Sequence, residues 1–152
     1  KMVGPIYHVR QRREEAEELV LRYFAYSDTY LNFRHDVRKF LDSYLKTHQQ
    51  DFPRDEMFRQ FCEMVEFAHK HFPHGFRRSK ESFSVARVRF EALACGITLA
   101  QRLRPNLNPD NASILKWINS EEFRIHVVSD ASNSLPKLKG RIEFVRDHLL
   151  EA

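Results

Sequence analysis

The sequence predicts an all-α fold, a single bundle of about six or seven helices across residues 1–152, on three observations. Apolar residues recur at spacings of three and four almost throughout the chain. No stretch alternates with period two for long enough to make a strand. The 152 residues, 42% apolar and 12% aromatic, supply one hydrophobic core.

The first helix is expected from about Arg13 to Ser27. Glu14, Glu15, Glu17 and Glu18 lie near its positive end, and Ala16, Val20, Tyr23 and Phe24 share a face. A second follows Asn32, its expected N-cap, with Phe33, Val37, Phe40, Leu41, Tyr44 and Leu45 as an amphipathic stripe. The third starts with Pro53 at its first helical position, runs through Met57, Phe61, Met64, Val65 and Ala68, and is stopped by Pro73 and Gly75. Its other side, with Arg54, Asp55, Glu56, Arg59 and Glu63, is expected to face water.

After the basic connector GFRRSKES, the fourth helix, SVARVRFEALACGITLAQRL, is apolar over most of its circumference and carries Ala92, Ala94, Cys95 and Gly96 at its centre. A helix apolar all round belongs in the core, and small residues admit a close neighbour. RPNLNPDN reads as a loop. Ile114, Leu115, Trp117 and Ile118 make a short fifth helix, and Ser120 followed by Glu121 and Glu122 makes the cap and acidic first turn of a sixth. The last helix begins near Ser134, tolerates Pro136 in its first turn, and places Leu135, Leu138, Ile142, Val145 and Leu149 on one face.

Charge bounds the partners. The net charge of +4, from 25 basic and 21 acidic residues, mildly favours anions without demanding nucleic acid. Cys62 and Cys95 lie in apolar helical patterns and read as buried free thiols, which suits a reducing cytoplasm. No apolar run approaches the roughly 20 residues of a membrane span, so neither a membrane partner nor export is expected. The chain opens on Lys1 without a capping residue, and the expectation is a C-terminal fragment of a longer protein.

Catalytic chemistry finds little purchase. There is no Gly-x-Ser-x-Gly elbow, phosphate loop, dinucleotide fingerprint or His-Glu-x-x-His, and four glycines leave little room for such loops. His69, His71 and His74 cluster in HKHFPH, but without a cysteine pair or an acid at ligand spacing; surface histidines at a helix end account for them, and no metal or cofactor is expected.

Three basic groups, Arg10 with Arg12 and Arg13, Arg77 with Arg78 and Lys80, and Lys137 with Lys139 and Arg141, form an anion- or DNA-binding patch if they converge, and solvated charge if they do not. The last group stands in the first turns of a helix, where cations oppose the dipole. Ser129, Asp130, Ser132 and Asn133 precede it as turn formers, and Ser134 is placed to cap. That turn either receives an anion or bonds its own backbone, with Asp130 pairing Lys137 or Arg141. Gly140 inside the helix suggests a close backbone contact.

Three segments, EELVLRYFAYSDTYLNFRHDVRKFLDSYLK, RVRFEALACGITLAQR and SDASNSLPKLKGRIEFVRDHLL, resemble in order the helical C-terminal portion of GmrSD-type proteins, domain-of-unknown-function family 262. Arg22, Asp130, Asn133 and Arg141 occupy the resembling motifs. The resemblance implies a preceding domain with an Asp-Gly-Gln-Gln-Arg motif, associated with nucleotide hydrolysis or nuclease action in prokaryotic defence against foreign DNA. That motif is absent here, so no catalytic residue carries over, and activity is assigned to a missing N-terminal domain or partner chain. On this reading the chain is a non-catalytic helical module that supports a nucleotide- or DNA-processing domain and contacts DNA. The alternative is a protein-interaction or structural module with no nucleic-acid role. Arg22 is then either a buried ion-pair partner, with Asp130 as one candidate acid, or a phosphate contact.

Overall fold

A computed structural model of the chain describes residues 13–128 and 134–152, with side chains from residue 15 onward. Among them are seven α-helices and no strand: α1 (Arg13–Thr29), α2 (Val37–His48), α3 (Arg54–His71), α4 (Arg87–Leu103), α5 (Asn111–Ile118), α6 (Glu121–His126) and α7 (Leu135–Glu151). None is long and apolar enough to cross a membrane.

Helix α4 is the axis, as its apolar circumference predicts. From Arg89 to Thr98 every residue is buried, and α7, α1 and α3 pack around it. The tightest approach is at Gly96, where a Cβ would stand 2.5 Å from Val145 Cβ and 3.0 Å from the Ile142 carbonyl oxygen. A hydrogen at this position is what lets α7 lie against α4 at backbone distance. The α7 stripe of Leu138, Ile142, Val145 and Leu149 fills the seam as its spacing predicts. Gly140 has a different neighbour from the one expected: a Cβ there would meet the His126 ring at 3.4 Å, an ordinary contact with a side chain.

The buried face of α1 is rotated from the expected one. Leu19, Arg22, Tyr23 and Tyr26 are buried, while Val20 and Phe24 are only partly covered. Ala25 joins Leu41 and Tyr44 of α2 in a smaller apolar cluster. Helix α2 begins four residues later than Asn32 suggested. Phe33 is extended, and the Asp36 carboxylate accepts from the Lys39 amide at 3.0 Å, a capping bond that Asn32 does not make. Phe33 still belongs to the core, edge-on to Tyr26 and Phe40. Pro53 precedes α3 in the N-cap position rather than opening it, and Gly75, at φ 56, turns the chain beyond the helix end.

One polar network crosses the core. Glu91 on α4 is 1% exposed; it accepts from Arg22 Nη1 of α1 at 3.0 Å and from Arg141 Nη2 of α7 at 2.6 Å. Arg22 also donates from Nε to Glu18 at 2.7 Å. The carboxylate therefore ties three helices together and gives both arginines a counter-charge that offsets the cost of burying them.

Candidate anion-binding site

The site is built where the connector after α3 crosses the start of α4. Phe76 is fully buried and packs edge-on against Phe90 with ring centroids 5.0 Å apart, which pins the connector to α4. Ser79 and Ser82 then close a small turn: the Ser79 amide donates to Ser82 Oγ at 3.2 Å. This turn holds Arg78 beside the first turn of α4.

The α5–α6 corner makes the opposite wall. Ser120 Oγ donates to the Trp117 carbonyl at 2.7 Å and accepts from the Phe123 amide at 3.1 Å, so one hydroxyl ends α5 and caps α6, as the sequence predicts. Phe123 is set between Trp117 and Phe144, with centroids at 5.4 and 5.8 Å. Its ring lies under the Arg89 guanidinium carbon at 5.1 Å.

Between these walls is a cavity of about 850 Å³, lined by Arg78, Arg87, Arg89 and Arg124, with Ser79, Asn119 and Ser120, and on its apolar side by Val88, Ile118, Phe123, Val127 and Val128. Among the described residues no acid lines it. Arg124 is already paired, forked onto Glu121. Arg87 also borders a smaller hollow that holds Glu15 and Glu18.

Arg89 distinguishes this cavity. It is 8% exposed, its Nε is fully enclosed without a hydrogen-bond partner, and among the described residues no acid pairs with it. Burial, reinforced by the like charge of Arg78, lowers its guanidinium to about 10, which leaves it a cation at neutral pH. A buried guanidinium with only an aromatic face for company is costly, which makes this cavity wall the candidate anion site. The cavity also adjoins the positive end of α4. Ala86 stands at its N-cap with no side-chain capping bond, and no acid occupies the first turn.

Of the basic residues singled out in sequence, Arg78 is the one among the described residues that lines the cavity. Arg77 is half-buried and donates to the Lys80 carbonyl at 3.4 Å. Lys137 and Lys139 are exposed on α7, the latter 4.0 Å from Glu143. Arg141 is corrected outright as an accessible cation: it is 2% exposed and spent on Glu91. Arg22 is likewise buried, and its acids are Glu91 and Glu18. Ser134 makes no side-chain capping bond. Arg10, Arg12, Asp130 and Asn133 lie outside the described residues, as does the side chain of Arg13.

Arg87, Arg89 and Arg124 were not among the sequence candidates. For Arg89 a local signal existed: the residues three and four positions away, Val85, Ala86, Ala92 and Leu93, include no acid that can pair with it on the helix.

The histidine-rich stretch is divided. His71 is buried, its Nδ1 2.8 Å from Asn111 Oδ1, whereas His69 is exposed, and no group of three potential metal ligands occurs among the described residues. Neither cysteine is bonded to another; Cys62 is half-buried, and burial pushes the Cys95 thiol up to about 12, far from a reactive thiolate.

No family model, curated protein or solved structure matches this chain.

Proposed function

We propose that this chain is a non-catalytic helical module that contacts phosphate groups of a nucleotide or DNA through the arginine-lined cavity. It supports a nucleotide- or DNA-processing domain in the manner expected from its resemblance to the C-terminal part of GmrSD-type proteins. The observation that carries the reading is the meeting of Arg78, Arg87 and Arg89 at one cavity that no acid lines among the described residues. Guanidiniums present paired N–H donors that match phosphate oxygens, and low local dielectric strengthens each contact. The helical dipole of α4 adds the same sign.

Titrating single-stranded DNA across salt concentration tests this. Binding by the intact chain is expected to weaken as salt rises, with a log–log slope of about −0.7 per phosphate neutralised. Arg78→Gln with Arg87→Gln is expected to flatten that slope by about one to two contacts. Binding that ignores both salt and these substitutions favours the second reading, a protein-interaction module. The observation behind that alternative is the exposed phenylalanines, Phe83 at 90% and Phe58 at 63% exposure.

A further inference from the structure

Resting on the reading of this cavity as a phosphate contact, we infer that it is a seat for a phosphomonoester, a terminal phosphate group, and not a surface that follows an internal phosphodiester backbone.

Depth is the first reason. Arg89 is 8% exposed and lies over Phe123 in a cavity lined by residues of the connector and the α5–α6 corner. An internal phosphate is tethered to sugars on both sides and rides on the surface of its strand. A terminal phosphate is tethered once and projects, so it enters a concave site that the backbone only skirts.

Charge is the second. Arg78, Arg87 and Arg89 are three guanidiniums for which the described residues provide no hydrogen bond or ion pair, while the fourth, Arg124, is neutralised by Glu121. A phosphodiester brings one negative charge. A phosphomonoester brings close to two at neutral pH and a third equivalent oxygen acceptor. Cations crowded closely enough to disturb each other, as Arg78 disturbs Arg89, are better matched by the dianion. The uncapped first turn of α4, whose Arg87, Val88 and Arg89 all border the cavity, supplies backbone donors for the same charge.

The cavity's composition is the third. At about 850 Å³ it exceeds what a phosphate alone fills, and its lining includes the apolar Val88, Ile118, Phe123, Val127 and Val128. A lining that combines arginines with apolar carbon suits a phosphate borne on a body with an apolar face. A free phosphomonoester and the phosphorylated end of a strand share this chemistry.

The test measures binding of four probes to the intact chain: a thymidine oligonucleotide with a 5′-phosphate, the same strand with a 5′-hydroxyl, thymidine monophosphate, and inorganic phosphate. The phosphorylated strand is expected to bind at least about tenfold more tightly than the hydroxyl strand, the effect of one added charge-assisted contact. Arg89→Gln is expected to erase the difference, and so is Arg78→Gln, whose exposed side chain leaves folding intact. Thymidine monophosphate binding as tightly as the phosphorylated strand identifies a free phosphomonoester as the ligand; a clear advantage for the strand identifies an end. Either result supports the inference. Equal, salt-sensitive binding of both strands overturns it while leaving the phosphate-contact reading in place. No binding of any probe overturns both.

Discussion

Replacing Arg89 with methionine should make this protein more stable. Its guanidinium is held at about 10, against an ordinary value of about 12.5. At about 1.4 kcal/mol for each pH unit of that displacement, the folded state carries about 3 kcal/mol of unfavourable free energy. The sign follows from the base: its folded affinity for a proton is depressed, so the cost is fully present below about pH 10 and fades above it. The Phe123 face returns about 1 kcal/mol, leaving about 2 kcal/mol to be recovered. Methionine keeps the length of the side chain and brings no charge into the cavity. For a chain of this size the gain corresponds to a rise in Tm of about 4–8 °C, measured by thermal circular dichroism and checked by urea unfolding. The comparison is made in buffer without phosphate. Added phosphate should then raise the Tm of the natural chain and leave Arg89→Met unmoved. A Tm that falls on substitution would refute the reasoning, because it would mean that the guanidinium is stabilising where it stands. Residues kept at a cost to stability are those expected where a site awaits its ligand.

Three other outcomes are expected. Gly96→Ala places a methyl group 2.5 Å from Val145 Cβ and should cost about 1–3 kcal/mol in urea unfolding; adding Val145→Ala should recover part of the loss, and strictly additive losses would show that the two do not touch. Glu91→Gln leaves Arg22 and Arg141 buried without their shared counter-charge and should cost about 3–5 kcal/mol; a variant within about 1 kcal/mol of the natural chain would remove Glu91 as the keystone. Burial raises the tyrosine hydroxyls, Tyr26 and Tyr30 to about 12, with the Glu143 bond adding to the effect at Tyr30. The unfolded chain therefore loses these protons first: stability is full below about pH 10 and declines as pH rises toward about 12. A denaturation midpoint that stays flat across that window would contradict the burial of these hydroxyls.

Helices whose role is decided by spacing were legible in sequence. The α7 stripe and the small residues of α4 were read correctly, because one period sorts buried from exposed positions and a missing side chain admits a neighbour. Starts decided by competing polar residues were less so. Asn32 and Asp36 are both good caps, and the choice fell to Asp36 because Phe33 is drawn into the core in extended form. The site was the least legible part. Arg141 looked like a surface cation beside a helix start, but its carboxylate lies fifty residues earlier. Arg89 is not singled out by the sequence, and its significance comes from what the fold brings to it. Arg78 arrives through the packing of Phe76, and Phe123 through the Ser120 turn. Contacts between distant segments leave no periodic trace.

The α4–α7 seam also sets an order of events during synthesis. When α4 leaves the ribosome, the groove over Gly96 has no occupant, and Glu91 has met only Arg22. Both vacancies persist until α7 emerges. The nascent bundle therefore passes through an interval with an open apolar furrow and an incompletely neutralised carboxylate, the state in which chaperones bind and aggregation begins. Slow translation between these two helices lengthens that exposure, whereas rapid delivery of α7 closes the furrow and the ion network in a single step.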